Sequence, residues 1–163
     1  MIILKIIKFI LFTYLGGLIN FHKTTFRKAL YLVIKFYPTL APCFLMNIVQ
    51  FLLRKKVRFY FDSRKKIYFA KEFNVQHYFQ RKIRGFSLYS NGIINRSTKL
   101  ARSYFIDNVD LKKGDIVIDC GANYGDLFPY LSEFVLPENY HSFEPSPKDF
   151  VCLENNAIKG KNN

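Results

Sequence analysis

Asp119, Gly121, Gly125 and Glu144 are the residues whose types and spacing fit ligand chemistry in this chain. Asp119 follows the β-branched run Ile116, Val117 and Ile118, the pattern of a strand buried on both faces. Gly121 and Gly125 bracket a tight loop, where a missing side chain lets the backbone approach a ligand. Leu127, Tyr130, Leu131 and Phe134 then recur at helical spacing, so 126–135 reads as a helix. Pro129 is tolerated in its first turn, and a helix start offers unpaired N–H groups. Together these elements predict a nucleotide-binding turn.

The spacing narrows the nucleotide. A dinucleotide fingerprint reads G-x-G-x-x-G, but this loop has only Gly121 and Gly125, with a carboxylate, Asp119, at the strand end. A carboxylate there suits a ligand with a positive group rather than a pyrophosphate. S-adenosylmethionine carries an ammonium and a sulfonium. Tyr140-His-Ser-Phe-Glu144 reads as a second short strand ending in an acid, placed to accept hydrogen bonds from two ribose hydroxyls.

Residues 115–126, then Phe-Glu-Pro-Ser-Pro at 143–147, then a helix running to Glu154-Asn155-Asn156, resemble the FkbM-type family of S-adenosylmethionine-dependent methyltransferases. The resemblance is close over about 99–157, looser over 56–98 and absent from the first fifty residues. It implies a Rossmann-like class I methyltransferase fold. Asp119, Gly121, Ala122, Asn123 and Gly125 would surround the methionine end of the cofactor, and Glu144 would hold the ribose. It also implies O-methylation of a small-molecule or glycan acceptor in glycan or natural-product biosynthesis. No residue stands out as a catalytic base: His22, His77 and His141 are candidates by side-chain type only, and His141, inside a strand, reads as structural.

These residues need elements to hold them. At 163 residues, with 50% apolar content and 18 Phe, the chain has the length and composition of one folded domain. Charge is uneven: residues 1–113 carry 22 Lys and Arg against 4 Asp and Glu, and 114–163 carry 3 against 8. Three stretches follow: an apolar and basic helical segment over 1–55, a β-hairpin with a helical lead-in over 56–113, and the first half of a methyltransferase domain over 114–163. Cys43, Cys120 and Cys152 have no metal-type or paired spacing, and read as reduced thiols in apolar positions.

Residues 1–28 alternate apolar runs with Lys5, Lys8, Lys23 and Arg27. The uncharged stretch between Lys8 and His22 is shorter than the ~20 residues of a spanning helix. The segment fits a helix lying on an anionic membrane surface first and a core or docking helix next, with a true span and a signal peptide as lesser readings. A second apolar helix is expected from about Pro42 to Leu53, followed at once by Arg54-Lys55-Lys56. The expected location is cytoplasmic, with peripheral attachment to the inner face of a membrane as an extension.

Val57–Phe61 and Ile67–Phe69 read as a hairpin, Asn91-Gly92 as a turn, and 96–110 as a short amphipathic helix, whose Tyr104 could approach the cofactor but reads more readily as a packing tyrosine. Only two strands and two helices of a doubly wound sheet are legible before Asn163, so the chain reads as incomplete at its C-terminus and inactive alone. The first strand is then expected at an open edge, with the hairpin a candidate cover. Two other classes remain open: a catalytically inactive membrane-associated remnant, and a nucleic-acid binder using stretches such as His77-Tyr-Phe-Gln-Arg-Lys.

Overall fold

The computed structural model describes residues 40–160 together with Leu32, Lys35 and Phe36. The expectations for residues 1–31, including the opening basic helix and His22, lie outside the described residues. The chain divides into two compact units, Met1–Pro38 and Thr39–Asn163, and every element named below belongs to the second. That unit is mixed α/β, with two separate sheets.

Helix α1 (Leu40–Leu52) precedes three antiparallel strands, β1 (Arg58–Asp62), β2 (Ile67–Glu72) and β3 (Val75–Phe79). The expected hairpin is present, and β3 adds a third strand to it. The β1–β2 turn is tied by Asp62 Oδ1, which accepts the N–H groups of Arg64 at 3.0 Å and Lys65 at 3.1 Å. The β2–β3 turn places Phe73 at φ 53°, a left-handed conformation for which a phenylalanine gives no sequence signal.

Each outer strand of this sheet is met by one asparagine. Asn47 of α1 donates Nδ2–H to the Phe59 carbonyl at 2.8 Å and accepts the Phe59 N–H at 2.7 Å. Asn156 does the same for Tyr78, at 3.1 Å and 2.7 Å. Each amide stands in for a neighbouring strand, satisfying edge groups that would otherwise invite pairing. This accounts for an asparagine inside the apolar α1.

The strands bury an aromatic core. Phe59, Phe79 and Phe86 meet edge to face, and Tyr89 tilts against Phe79 with ring centroids 5.5 Å apart. Helix α2 (Lys82–Tyr89) presses onto this cluster so closely that a Cβ on Gly85 would lie 2.0 Å from Phe79 Cδ2. Gly92, at φ 119°, turns the chain into α3 (Ile93–Ser103), which buries Ile93, Ser97 and Ala101 at successive helical turns.

The second sheet has two parallel strands, β4 (Val117–Cys120) and β5 (Tyr140–Phe143), in the register Asp119 to Ser142 and Cys120 to Phe143. Between them lie the glycine loop and α4 (Phe128–Leu131), and α5 (Pro147–Gly160) follows β5. Val117 and Tyr140 pack against the buried Ala101, Leu127 and Leu131. The opposite face is bare: Ile116 is 68%, Ile118 64% and Phe143 58% exposed. The expectation of a strand buried on both faces is therefore met on one face only. Cys120 is likewise exposed on β4, whereas Cys43 and Cys152 are buried, and burial pushes both of those thiols up to about 12. The hairpin belongs to the other sheet and does not pair with β4.

Candidate functional site

The candidate site forms where β4 and β5 end. Because the strands are parallel, Asp119 in β4 and Glu144 just after β5 come to the same end of the sheet. Glu144 holds the loop: its Oε2 accepts the Asn123 N–H at 2.7 Å and its Oε1 accepts the Ser146 N–H at 2.8 Å. One carboxylate thus bridges the glycine loop and the start of α5, and each of its oxygens keeps a lone pair for another donor. Asp119 Oδ2 accepts the Tyr140 hydroxyl at 2.5 Å. Burial, and then this bond to a carboxylate, push the Tyr140 phenol well above its ordinary value, so it stays a proton donor to Asp119.

The loop backbone is tied to the end of β5 and to itself. Gly121 and Ala122 donate their N–H groups to the Phe143 carbonyl at 2.8 and 3.0 Å, and Gly125 N–H goes to the Ala122 carbonyl at 2.8 Å. The sequence reading expected unpaired N–H groups here and a helix start behind them. In the structure these loop amides are committed, and α4 is a single turn rather than a helix over 126–135. Pro129 sits in the first turn of α4, where it is tolerated, and i→i−3 bonds flank that turn, Phe128 N–H to the Gly125 carbonyl before it and Phe134 N–H to the Leu131 carbonyl after it. A phosphate cradle built from free backbone N–H groups is thus not what this loop offers. It offers side chains, carboxylates above all.

Gly121, Asn123 and Gly125 all have positive φ, at 83°, 52° and 79°. At Gly121 an added Cβ would meet nothing within 4 Å, so open space lies beside the loop there, while at Gly125 it would come within 3.0 Å of Leu153 Cδ1. Asn123 Nδ2 is buried without a hydrogen-bond partner, an unspent donor at the loop. Ala122 is buried against the interior. Open space, a spare donor and two carboxylates with free lone pairs fit a polar ligand bearing hydroxyls and positive charge.

The inward side of the same loop is anchored by residues that sequence reasoning passed over. The Tyr124 ring is fully buried and its hydroxyl accepts the Arg81 N–H at 3.3 Å. Asp126, 3% exposed, accepts His77 Nε2–H at 3.1 Å, Arg96 Nε–H at 3.1 Å, and the Tyr89 hydroxyl. Burial pushes the Asp126 carboxyl upward, but the His77 hydrogen bond and charge, Tyr89 and Arg96 outweigh it, and the carboxyl settles at about 2. Asn156 Nδ2–H reaches the Tyr124 carbonyl at 2.7 Å, and Ser97 Oγ accepts the Tyr130 N–H at 2.9 Å. The loop is thereby fastened to β3, α2, α3 and α5. The only signals in the sequence were an acid directly after Gly125 and an asparagine pair, Asn155-Asn156, within the final helix.

The other candidates separate from the site. His77 is consumed in the Asp126 cluster, and His141 is exposed on β5. Tyr104 caps the end of α3 at 62% exposure, its N–H bonded to the Leu100 and Ala101 carbonyls.

No family model matches the chain, and no solved structure matches it. Among curated proteins, the 31-O-demethyl-FK506 methyltransferase FkbM of Streptomyces tacrolimicus is 39% identical to it over 59 residues. That stretch is 36% of this chain and 22% of the relative, so the similarity points toward a methyltransferase over a small part of each protein.

Proposed function

We propose that this chain binds S-adenosylmethionine and serves methyl transfer to oxygen, in the manner of an FkbM-type methyltransferase with a Rossmann-like class I fold. The observation that carries the reading is the Glu144 carboxylate bonded to Asn123 N–H at the ends of two adjacent parallel strands. The local similarity to a methyltransferase supports it. Asp119, steadied by Tyr140, balances the positive charge of the methionine end. Gly121, Ala122, Asn123 and Gly125 shape the wall beside it, with Asn123 Nδ2 as a spare donor. Glu144 accepts the ribose hydroxyls with the lone pairs its two backbone bonds leave free.

When bound, the cofactor supplies a methyl group on a sulfonium sulfur, open to in-line displacement by an acceptor oxygen. The residues of this chain bind and orient, and none is assigned as a base. A hydroxyl of a glycan or a natural product is the acceptor class, and a cytoplasmic location follows from the cofactor.

Isothermal titration of the full chain with S-adenosylmethionine and S-adenosylhomocysteine tests the reading. Binding is expected, and Glu144→Ala should weaken it by about tenfold or more, the loss of charged hydrogen bonds. Asp119→Asn should weaken S-adenosylmethionine in the same direction. No heat with either ligand, or equal affinity in both variants, would overturn the assignment.

A further inference from the structure

Helix α1 carries an apolar stripe that the domain does not bury. Leu40 is 67%, Phe44 55% and Phe51 71% exposed, at spacings of four and seven residues that put them on one side of the helix. Pro42, Cys43, Leu45, Met46 and Gln50 fill the side turned to the protein. At the end of the stripe Leu52 and Leu53 are also exposed.

The helix stops by a definite device. Arg54 takes φ 53°, its N–H bonds to the Phe51 carbonyl at 3.0 Å, and Lys55 N–H reaches back to the Gln50 carbonyl at 2.8 Å. This is a Schellman ending, with arginine where glycine is usual. It sets the exposed Arg54, Lys55 and Lys56 directly beyond the apolar stripe. Arg58 Nη1–H bonds to the Lys55 and Val57 carbonyls and holds the turn in shape. No acid occurs between Leu40 and Val57.

We propose that this face of α1 docks on an anionic lipid bilayer surface, with Leu40, Phe44 and Phe51 entering the headgroup boundary and Arg54–Lys56 meeting the lipid charge. No helix among the described residues is long and apolar enough to cross a membrane, and α1 has only 13 residues, so the contact is in the plane of the surface. The pairing of exposed aromatics with a basic cluster and no acid is the complement of an anionic interface. The inference is independent of the methyl-transfer reading.

Flotation of the full chain with phosphatidylcholine vesicles, with and without phosphatidylserine, tests it. The chain is expected to float with phosphatidylserine vesicles and to bind those without it far less. Phe44→Asp with Phe51→Asp should lower binding about tenfold or more, since it places charge in the apolar boundary. Lys55→Glu with Lys56→Glu should lower binding by a similar factor and weaken its dependence on salt. Phe44→Ser with Phe51→Ser guards against misfolding, with thermal melts checking each variant. Vesicle binding unchanged in the phenylalanine variants would overturn the proposal by placing the contact elsewhere. So would an absence of flotation combined with an oligomer that the same substitutions dissolve, because a second protein copy would then own the stripe.

Discussion

Burying a carboxylate costs several kcal/mol unless donors compensate it, and Asp126 is buried beneath His77, Tyr89 and Arg96, all donating to it. Removing its charge leaves those donors facing a poorer acceptor. Asp126→Asn should therefore destabilise the fold by about 3 kcal/mol near neutral pH, measured by urea unfolding. The folded carboxyl sits at about 2, below its ordinary value, so its contribution is complete above that ordinary value and is lost as pH falls toward 2. The gap between wild type and variant should thus narrow by about 2 kcal/mol as pH drops from about 4 to about 2. A gap that stays constant over that range would deny Asp126 this role. At this scale the sequence disclosed the outer residues of the loop, Asp119, Gly121 and Glu144, because strand ends and glycine spacing are local signals. Asp126 and Asn156 stayed hidden, because their partners lie 49 and 78 positions away, at His77 and Tyr78.

Elements here are finished by side chains that ordinary propensity would not select. Arg54 occupies a left-handed position at the end of α1, where a Cβ is unfavourable. Arg54→Gly should raise stability by about 1 kcal/mol, read as a higher melting temperature, and an unchanged melt would show that the arginine side chain repays the strain. Asn47 is the opposite case. Its amide closes both backbone groups of Phe59, so Asn47→Ala should cost about 2 kcal/mol even though alanine is the better helix former. A variant as stable as wild type would show that water satisfies Phe59 equally well. Apolar patterning located α1 and the hairpin, and the family resemblance located α5. Patterning missed β3, whose two-residue entry turn, Phe73-Asn74, puts the left-handed conformation on Phe73, and it lengthened α4, where Leu127 to Phe134 kept helical spacing across successive tight turns.

At the scale of the molecule, the described residues form two sheets finished to different degrees. The antiparallel sheet has an aromatic core beneath it and an asparagine on each outer strand. The parallel sheet has neither on its far side: β4 and β5 pair only with each other among the described residues, and Ile116, Ile118 and Phe143 face outward. Parallel sheets are ordinarily covered on both faces, and an apolar face beside unpaired strand edges is a route to association. The composition of 116–118 announced a buried strand, and only the structure shows which half of that burial this chain supplies itself. The expected consequence is concentration-dependent self-association, visible in sedimentation velocity. Ile116→Lys with Ile118→Lys should reduce it while changing unfolding free energy by no more than about 0.5 kcal/mol per site, because neither side chain is buried. If wild type stays monomeric at high concentration, the bare face is tolerated as it stands. If instead the lysines unfold the domain, the face is packed in solution and the exposure of Ile118 is not the state that dominates there.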